Sequence, residues 1–143
     1  MRALLDVNVL IALLDASHAS HEAAMTWFAS SVGKSGWASC PITQNGCLRI
    51  MSSSAYPGRR PIAEIAERLR DAIATPQHAF WPDDTSLLTN PRIDFTHTHG
   101  PRQLTDVYLL ALAVQHGGQL VTFDRSVPTS AVGGADSTHL LIL

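Results

Sequence analysis

Three aspartates, Asp6, Asp106 and Asp124, are the strongest candidates for chemistry in this chain. Carboxylates that converge repel one another when ionised, so a site built from them is costly without a cation. Their hard oxygen atoms suit Mg²⁺ or Mn²⁺. Such an ion activates a water molecule and stabilises negative charge on a phosphoryl group during its transfer. If the three side chains meet, metal-assisted phosphoryl transfer is the chemistry to expect.

The elements that must position these aspartates are strands of a parallel sheet. Asp6 follows a short strand predicted over residues 2–5, and Asp124 follows one predicted over residues 119–123. Asp106 lies in the first turns of the helix that leads into the second of these strands, which puts it at the same edge. Ligands of open parallel sheets bind at the carboxyl ends of the strands. We therefore expect the three carboxylates to share one rim.

Each aspartate also has a purely structural interpretation. Asp6 could cap the helix predicted from residue 9, and Asp106 could be a solvated helix carboxylate. Asp124 could form a turn with its own backbone before Pro128. Taken singly, each structural interpretation is the better one, whereas the joint position at one sheet edge favours a shared site.

The order of apolar segments predicts one α/β domain over residues 1–143. Strands that alternate with helices imply a mostly parallel sheet with helices on both faces. The predicted strands cover residues 2–5, 36–39, 79–81, 119–123 and 140–142. The predicted helices cover residues 9–14, 18–31, 62–74 and 101–116, and a further one opens at Pro41.

Composition excludes several classes of protein. Hydrophobic residues make up 45% of the 143 residues and charged residues 15%, which argues against disorder. The formal net charge of −2 does not by itself demand a nucleic-acid partner. Two cysteines without a CxxC motif predict a reducing, cytoplasmic location. The N-terminus is a poor signal peptide, and no apolar run reaches the length of a membrane span.

Three segments of the chain resemble a known family. LLDVNVLIALL, CPITQNGCLRI and LTDVYLLALAVQHGGQLVTFDRSVP are similar, in this order, to segments of PIN-domain ribonucleases. More narrowly, they resemble the VapC-type toxin of a bacterial type II toxin–antitoxin pair. The resemblance runs from end to end of the chain, and the last segment is its most specific part.

The resemblance implies both a fold and a function. It implies a three-layer α/β/α sandwich and Mg²⁺- or Mn²⁺-dependent hydrolysis of RNA phosphodiester bonds, with tRNA a frequent target. It also implies a small cognate antitoxin and a homodimer. By position, Asp6, Asp106 and Asp124 match the metal-binding catalytic acids of the family. Thr122 matches a supporting hydroxyl residue, and Asn8 matches a residue that orients a ligand water.

One position departs from the family pattern. Relatives usually carry a glutamate in the middle segment, whereas here Gln44 follows Thr43. An amide adds no negative charge, although its carbonyl can coordinate an ion or hold a bound water. Gln44 is therefore either a supporting site residue or a polar cap on the helix that contains Gly46, and the sequence does not decide between them.

Arginines are the candidates for binding the RNA backbone. Arg125 has the best position because it follows Asp124, and Arg59 with Arg60 lies in a Gly-Pro loop. Ordinary solvated surface is the competing interpretation for each of them. Tyr56 could stack on a base or pack in the core.

Two other functions compete with the nuclease. A PIN fold weakened by Gln44 could serve only as an RNA- or protein-binding module. A different phosphoryl-transfer or phosphatase domain is the second alternative. A receiver domain needs paired acids after its first strand and a late lysine, and Lys34 is the only lysine here. A dehalogenase-like phosphatase needs Asp-x-Asp, and position 8 is Asn.

Overall fold

The computed structural model describes residues 1–143 and contains one five-stranded, fully parallel sheet. The strand order is β3-β2-β1-β4-β5. The three central strands are apolar and buried, as expected when helices cover both faces of a parallel sheet. The strands are β1 (Ala3–Leu5), β2 (Trp37–Ser39), β3 (His78–Phe80), β4 (Gln119–Thr122) and β5 (Leu140–Ile142).

Five α-helices connect the strands. Most of α5 is buried, in agreement with its nearly continuous apolar sequence, whereas α4 buries Ile65 and Leu69 on one stripe. The helices are α1 (Val7–Leu14), α2 (His21–Ser35), α3 (Pro41–Met51), α4 (Ile62–Ile73) and α5 (Leu104–Gln115). Short 3₁₀ helices form at Phe95–His97, Pro101–Gln103 and Thr129–Ala131.

The path of the chain creates a crevice between β1 and β4. From β1 the chain steps outward to β2 and β3, and it then returns past β1 to β4. Because crossovers between parallel strands are right-handed, this reversal places α1 to α4 on one face of the sheet and α5 on the other. The predicted three-layer α/β/α sandwich is therefore confirmed. The ends of β1 and β4 flank the switch point where such folds bind ligands.

Each face of the sheet has its own hydrophobic core. Leu4 and Leu120 pack in the cluster that contains α5. Leu5 and Val121 pack in the cluster formed with α1 to α4. Since successive strand residues point to opposite faces, Thr122 at the end of β4 faces the α5 layer.

The first helix begins earlier than the sequence predicted. It starts at Val7 rather than at residue 9, and Asp6 is its N-cap with φ −63° and ψ 158°. Asn8 therefore lies inside the helix and not at its cap. The structural interpretation of Asp6 as a cap is thus correct, but it does not exclude a second role, because a carboxylate has two oxygens and several lone pairs.

Two other boundaries differ for reasons of backbone geometry. The second helix runs through Gly33 and ends at Gly36, whose φ of 74° suits glycine and terminates a helix. The predicted helix 101–116 is divided, because Pro101–Gln103 forms a 3₁₀ turn ahead of α5. Trp81 is buried and stacks on His116 at a distance of 4.6 Å between ring centroids. None of the helices has both the length and the apolar character needed to cross a membrane.

Candidate active site

Asp6 joins the end of β1 to the start of α1. The residue is only 8% exposed, and Oδ1 of its carboxylate accepts a 2.7 Å hydrogen bond from the backbone N–H of Val7. Burial raises the pKa of Asp6, and the charge of Asp124 adds to this effect. The hydrogen bonds from Thr122 and Val7 act in the opposite direction, because they stabilise the carboxylate form.

Thr122 connects the two strand ends through its hydroxyl group. Oγ1 donates a 2.7 Å hydrogen bond to Oδ2 of Asp6. The same oxygen accepts hydrogen bonds from the Asn8 amide and from the backbone N–H of Asp124, both at 3.0 Å. The carbonyl oxygen of the Asn8 side chain accepts from the backbone N–H of Phe123 at 3.2 Å. These hydrogen bonds connect the ends of β1 and β4 across the crevice.

Asp124 is held by the turn that follows β4. Its Oδ1 accepts from the backbone N–H and the hydroxyl of Ser126, each at 2.7 Å. These bonds lower the pKa of Asp124, so the group stays ionised. Both go to the same oxygen, which leaves Oδ2 available for a ligand.

Asp106 supplies the third carboxylate from the first turn of α5. Desolvation, followed by the charges of Asp6 and Asp124, raises the pKa of Asp106 to about 6. A mutual electrostatic effect of this kind requires the three carboxylates to lie near one another. The raised pKa also marks the group as a functional-site candidate.

The three predicted acids line a single open pocket of about 360 Å³. Nowhere in the chain are three His, Cys, Asp or Glu side chains close enough to enclose a metal ion. The oxygen-only, anionic donor set nevertheless fits Mg²⁺, which keeps several waters and is commonly held by one or two carboxylates. The other residues that line this pocket are Val7, Asn8, Ile11, His18, Ile50, Tyr56 and Arg102.

Comparison with known proteins gives this site a family context. A family model described as PIN domain matches residues 3–131. The chain belongs to the PIN-domain family. It is 49% identical to Ribonuclease VapC44 of Mycobacterium tuberculosis over the full length of both chains. Two further relatives from the same organism are Ribonuclease VapC39, 42% identical over 94% of this chain and 96% of its own, and Ribonuclease VapC29, 39% identical over 89% of each. The predicted resemblance to the VapC type is thus confirmed.

Gln44 does not line the acidic pocket of this PIN domain. Its amide nitrogen donates a 2.9 Å hydrogen bond to Oγ of Ser39, which is also hydrogen-bonded to Nε2 of His78 at 2.9 Å. Ser39 ends β2, so Gln44 lies at the same edge of the sheet but one strand away from Asp6. It is not a helix cap either, because α3 starts at Pro41 with Cys40 as its N-cap.

The three arginines predicted to bind the RNA backbone lie outside the acidic pocket. Arg125 and Arg59 are exposed and outside the acidic pocket. Arg60 lines a neighbouring pocket that shares His18 and Tyr56 with the acidic one.

Arg102 lines the acidic pocket and is not among the arginines predicted from the sequence. It precedes Asp106 by four residues, and that spacing places two side chains on one side of a helical turn. The spacing was therefore the signal that could have identified it. Tyr56, whose position the sequence left undecided, also lines the pocket, and its hydroxyl donates to the carboxylate of Asp15.

Proposed function

We propose that this PIN domain is a metal-dependent endoribonuclease and acts as the toxin of a toxin–antitoxin pair. The observation that carries the proposal is the joint lining of one pocket by Asp6, Asp106 and Asp124 at the switch point of the sheet. The relatives VapC44, VapC39 and VapC29 are named ribonucleases, which supports the same activity.

Mg²⁺ or Mn²⁺ would be held by the carboxylates of Asp6, Asp106 and Asp124, directly or through waters that the ion retains. When bound, the ion activates water and stabilises the charge that develops on the phosphoryl group. The protein's own contribution is preorganisation. Val7 and Thr122 fix the two oxygens of Asp6, and Ser126 fixes one oxygen of Asp124, so these two carboxylates are oriented before an ion binds.

RNA is the substrate in this proposal, and tRNA is the RNA that the resemblance to VapC-type toxins favours. The pocket is open rather than enclosed by a lid, which suits a polymer that must pass across it. Tyr56 at its margin offers a ring for stacking.

A small cognate antitoxin is the protein partner in this proposal. An apolar groove of about 410 Å³ lies between α1, α2 and α4, and its wall includes Leu13, Met25 and Phe28. Met25 is 44% exposed, so part of the apolar lining of this groove is open to solvent. A groove of this character suits the apolar face of an amphipathic helix.

Homodimerisation and a cytoplasmic location complete the proposal. Exposed apolar side chains such as Ile62 and Phe80 support an interface between copies of the chain. Both cysteines, Cys40 and Cys47, are free thiols, as expected of a protein kept in a reducing compartment.

Cleavage of total tRNA with Mn²⁺, with and without EDTA, tests the activity. We expect fragments only with free Mn²⁺, and we expect Asp106→Asn to abolish them. Asp71→Asn is the matched control, because Asp71 is exposed on α4, away from the acidic pocket. Equal cleavage by Asp106→Asn and the parent protein would refute the assignment of the site.

A binding module without catalysis is the second candidate. It is favoured by the absence of a fourth acidic group from the pocket lining. Gln44, which stands where relatives usually carry a glutamate, contacts Ser39 instead. Titration with Mn²⁺ separates the two candidates, since a noncatalytic module should show no affinity at millimolar concentrations. Binding that is lost in Asp106→Asn supports the nuclease.

A further inference from the structure

Arg102 is the only arginine or lysine side chain that lines the acidic pocket. It is exposed, in the 3₁₀ turn that precedes α5. No ion pair joins its guanidinium to Asp6, Asp106 or Asp124, although all three line the same pocket. Its donors are therefore free to meet a ligand.

A phosphodiester that enters this pocket meets three groups of its own charge. A fixed cation at the margin offsets part of that repulsion, and its effect is largest where the surroundings are partly desolvated. The planar guanidinium of Arg102 presents paired N–H donors that match the oxygens of a phosphate. The pocket therefore provides both a place for a divalent cation and a separate group for the anion.

The turn that carries Arg102 is anchored to the loop that carries Asp124. Gln103 donates from Nε2 to the backbone carbonyl of Ser126 at 2.9 Å, and its Oε1 accepts from the N–H of His99 at 2.8 Å. Ser126 in turn donates twice to the carboxylate of Asp124. The turn that carries Arg102 is therefore tied to the loop that carries Asp124 through Gln103 and Ser126.

We propose that Arg102 binds the scissile phosphodiester of the RNA and that Gln103 is its positioning residue. This inference rests on the nuclease function proposed above, and it assigns the phosphate-binding role to Arg102 rather than to Arg125. Arg102 holds the nonbridging oxygens in place, while the three aspartates remain available to the cation.

Replacement of Arg102 by glutamine tests the contact because it removes the positive charge and leaves a shorter, polar side chain. We expect kcat/KM for tRNA cleavage to fall about 10- to 100-fold, the range for the loss of a hydrogen bond to a charged group. Binding of total tRNA in EDTA should also lose one phosphate contact. The dependence of log K on the logarithm of the salt concentration should therefore become less steep by about 0.7–0.9. Arg102→Lys should retain the slope and recover only part of kcat/KM.

Two other arginines provide the comparison. Arg70→Gln makes the same charge change on the exposed side of α4, and we expect it to leave cleavage within twofold of the parent. If Arg125→Gln weakens cleavage and binding while Arg102→Gln does not, the role belongs to Arg125 and the proposal is overturned.

Affinity for Mn²⁺ separates a phosphate contact from a structural role. Removal of a positive charge beside the carboxylates should leave Mn²⁺ affinity unchanged or increase it in Arg102→Gln. A general loss of structure would weaken both Mn²⁺ and RNA binding, and that result would also overturn the proposal. Gln103→Ala should lower kcat with little change in the salt slope, since the guanidinium remains present.

The RNA-binding measurements do not depend on cleavage. A parent protein that binds tRNA without cleaving it refutes the nuclease, and the salt slopes then still decide the role of Arg102. A parent protein that cleaves tRNA, with equal slopes for Arg102→Gln and the parent, refutes only the role of Arg102.

Discussion

The hydroxyl of Thr122 lies 2.7 Å from Oδ2 of Asp6, across 116 residues of sequence. This bond joins the ends of β1 and β4 at the place where the order of the sheet reverses. The hydroxyl donates once and accepts twice, so its hydrogen-bonding capacity is fully used. A single short side chain thus fixes the buried carboxylate and the loop that leads to Asp124.

Replacement of Thr122 by valine keeps the shape of the side chain and removes the hydroxyl. Oδ2 of Asp6 then loses its hydrogen bond while it remains buried, and the Asp124 N–H loses its acceptor. We expect the free energy of unfolding at pH 7 to fall by about 1–3 kcal/mol, as measured in urea.

Thr122→Ser is the matched control because it retains the hydroxyl and loses only a methyl group. It should lie much closer to the parent than Thr122→Val in the same urea titration. Equal stability of the serine and valine variants would show that the bond to Asp6 contributes nothing to folding.

The pKa of Asp106 leads to a prediction about pH. Folding raises this pKa from 3.8 to about 6, so the folded protein holds the proton more tightly than the unfolded chain. The contribution of Asp106 to stability is therefore complete below pH 4 and declines as the pH rises to about 6. Asp106→Asn cannot ionise and should be increasingly more stable than the parent over this range. Thermal unfolding of both proteins between pH 4 and 7.5 measures the difference, and a constant difference contradicts the prediction.

Much of this site follows from the sequence because strand ends are easy to recognise. Asp6 and Asp124 each follow a short apolar run, and Asp106 precedes the second run by the length of a helix. Parallel pairing then brings carboxyl ends to one edge without further information. The predicted meeting of the three acids in one pocket depends only on these local signals.

The remaining features depend on contacts that no local pattern contains. The amide of Asn8 binds Thr122, which is 114 residues away. The amide of Gln44 binds Ser39, the last residue of β2. The position of Gln44 in the sequence does not show which polar group its side chain contacts. Arg102 reaches the pocket through a 3₁₀ turn that is anchored by Gln103, also a long-range contact.

Binding of Mn²⁺ should depend on pH through the same carboxyl group. In the proposed function the ion binds Asp106 as a carboxylate, and this group retains its proton up to a pH of about 6. We expect strong binding at pH 7.5 and a loss of about 10-fold per pH unit below 6, for displacement of one proton. Calorimetric titration with MnCl₂ at pH 5, 6 and 7.5 measures the affinity. Asp71→Asn should follow the parent curve, whereas identical affinity at pH 5 and 7.5 would exclude Asp106 as a ligand.

The position of Gln44 leads to a prediction that separates it from the acids. Its amide nitrogen is bound to Ser39 and its side chain lies outside the acidic pocket, so it is not available to the ion. We expect Gln44→Ala to bind Mn²⁺ within about twofold of the parent, while Ser39 loses one hydrogen bond and the protein loses about 0.5–1.5 kcal/mol of stability. Calorimetry and urea unfolding measure the two effects. If Mn²⁺ affinity falls in Gln44→Ala as far as it does in Asp106→Asn, the Gln44 carbonyl reaches the ion and the pocket has a fourth protein ligand.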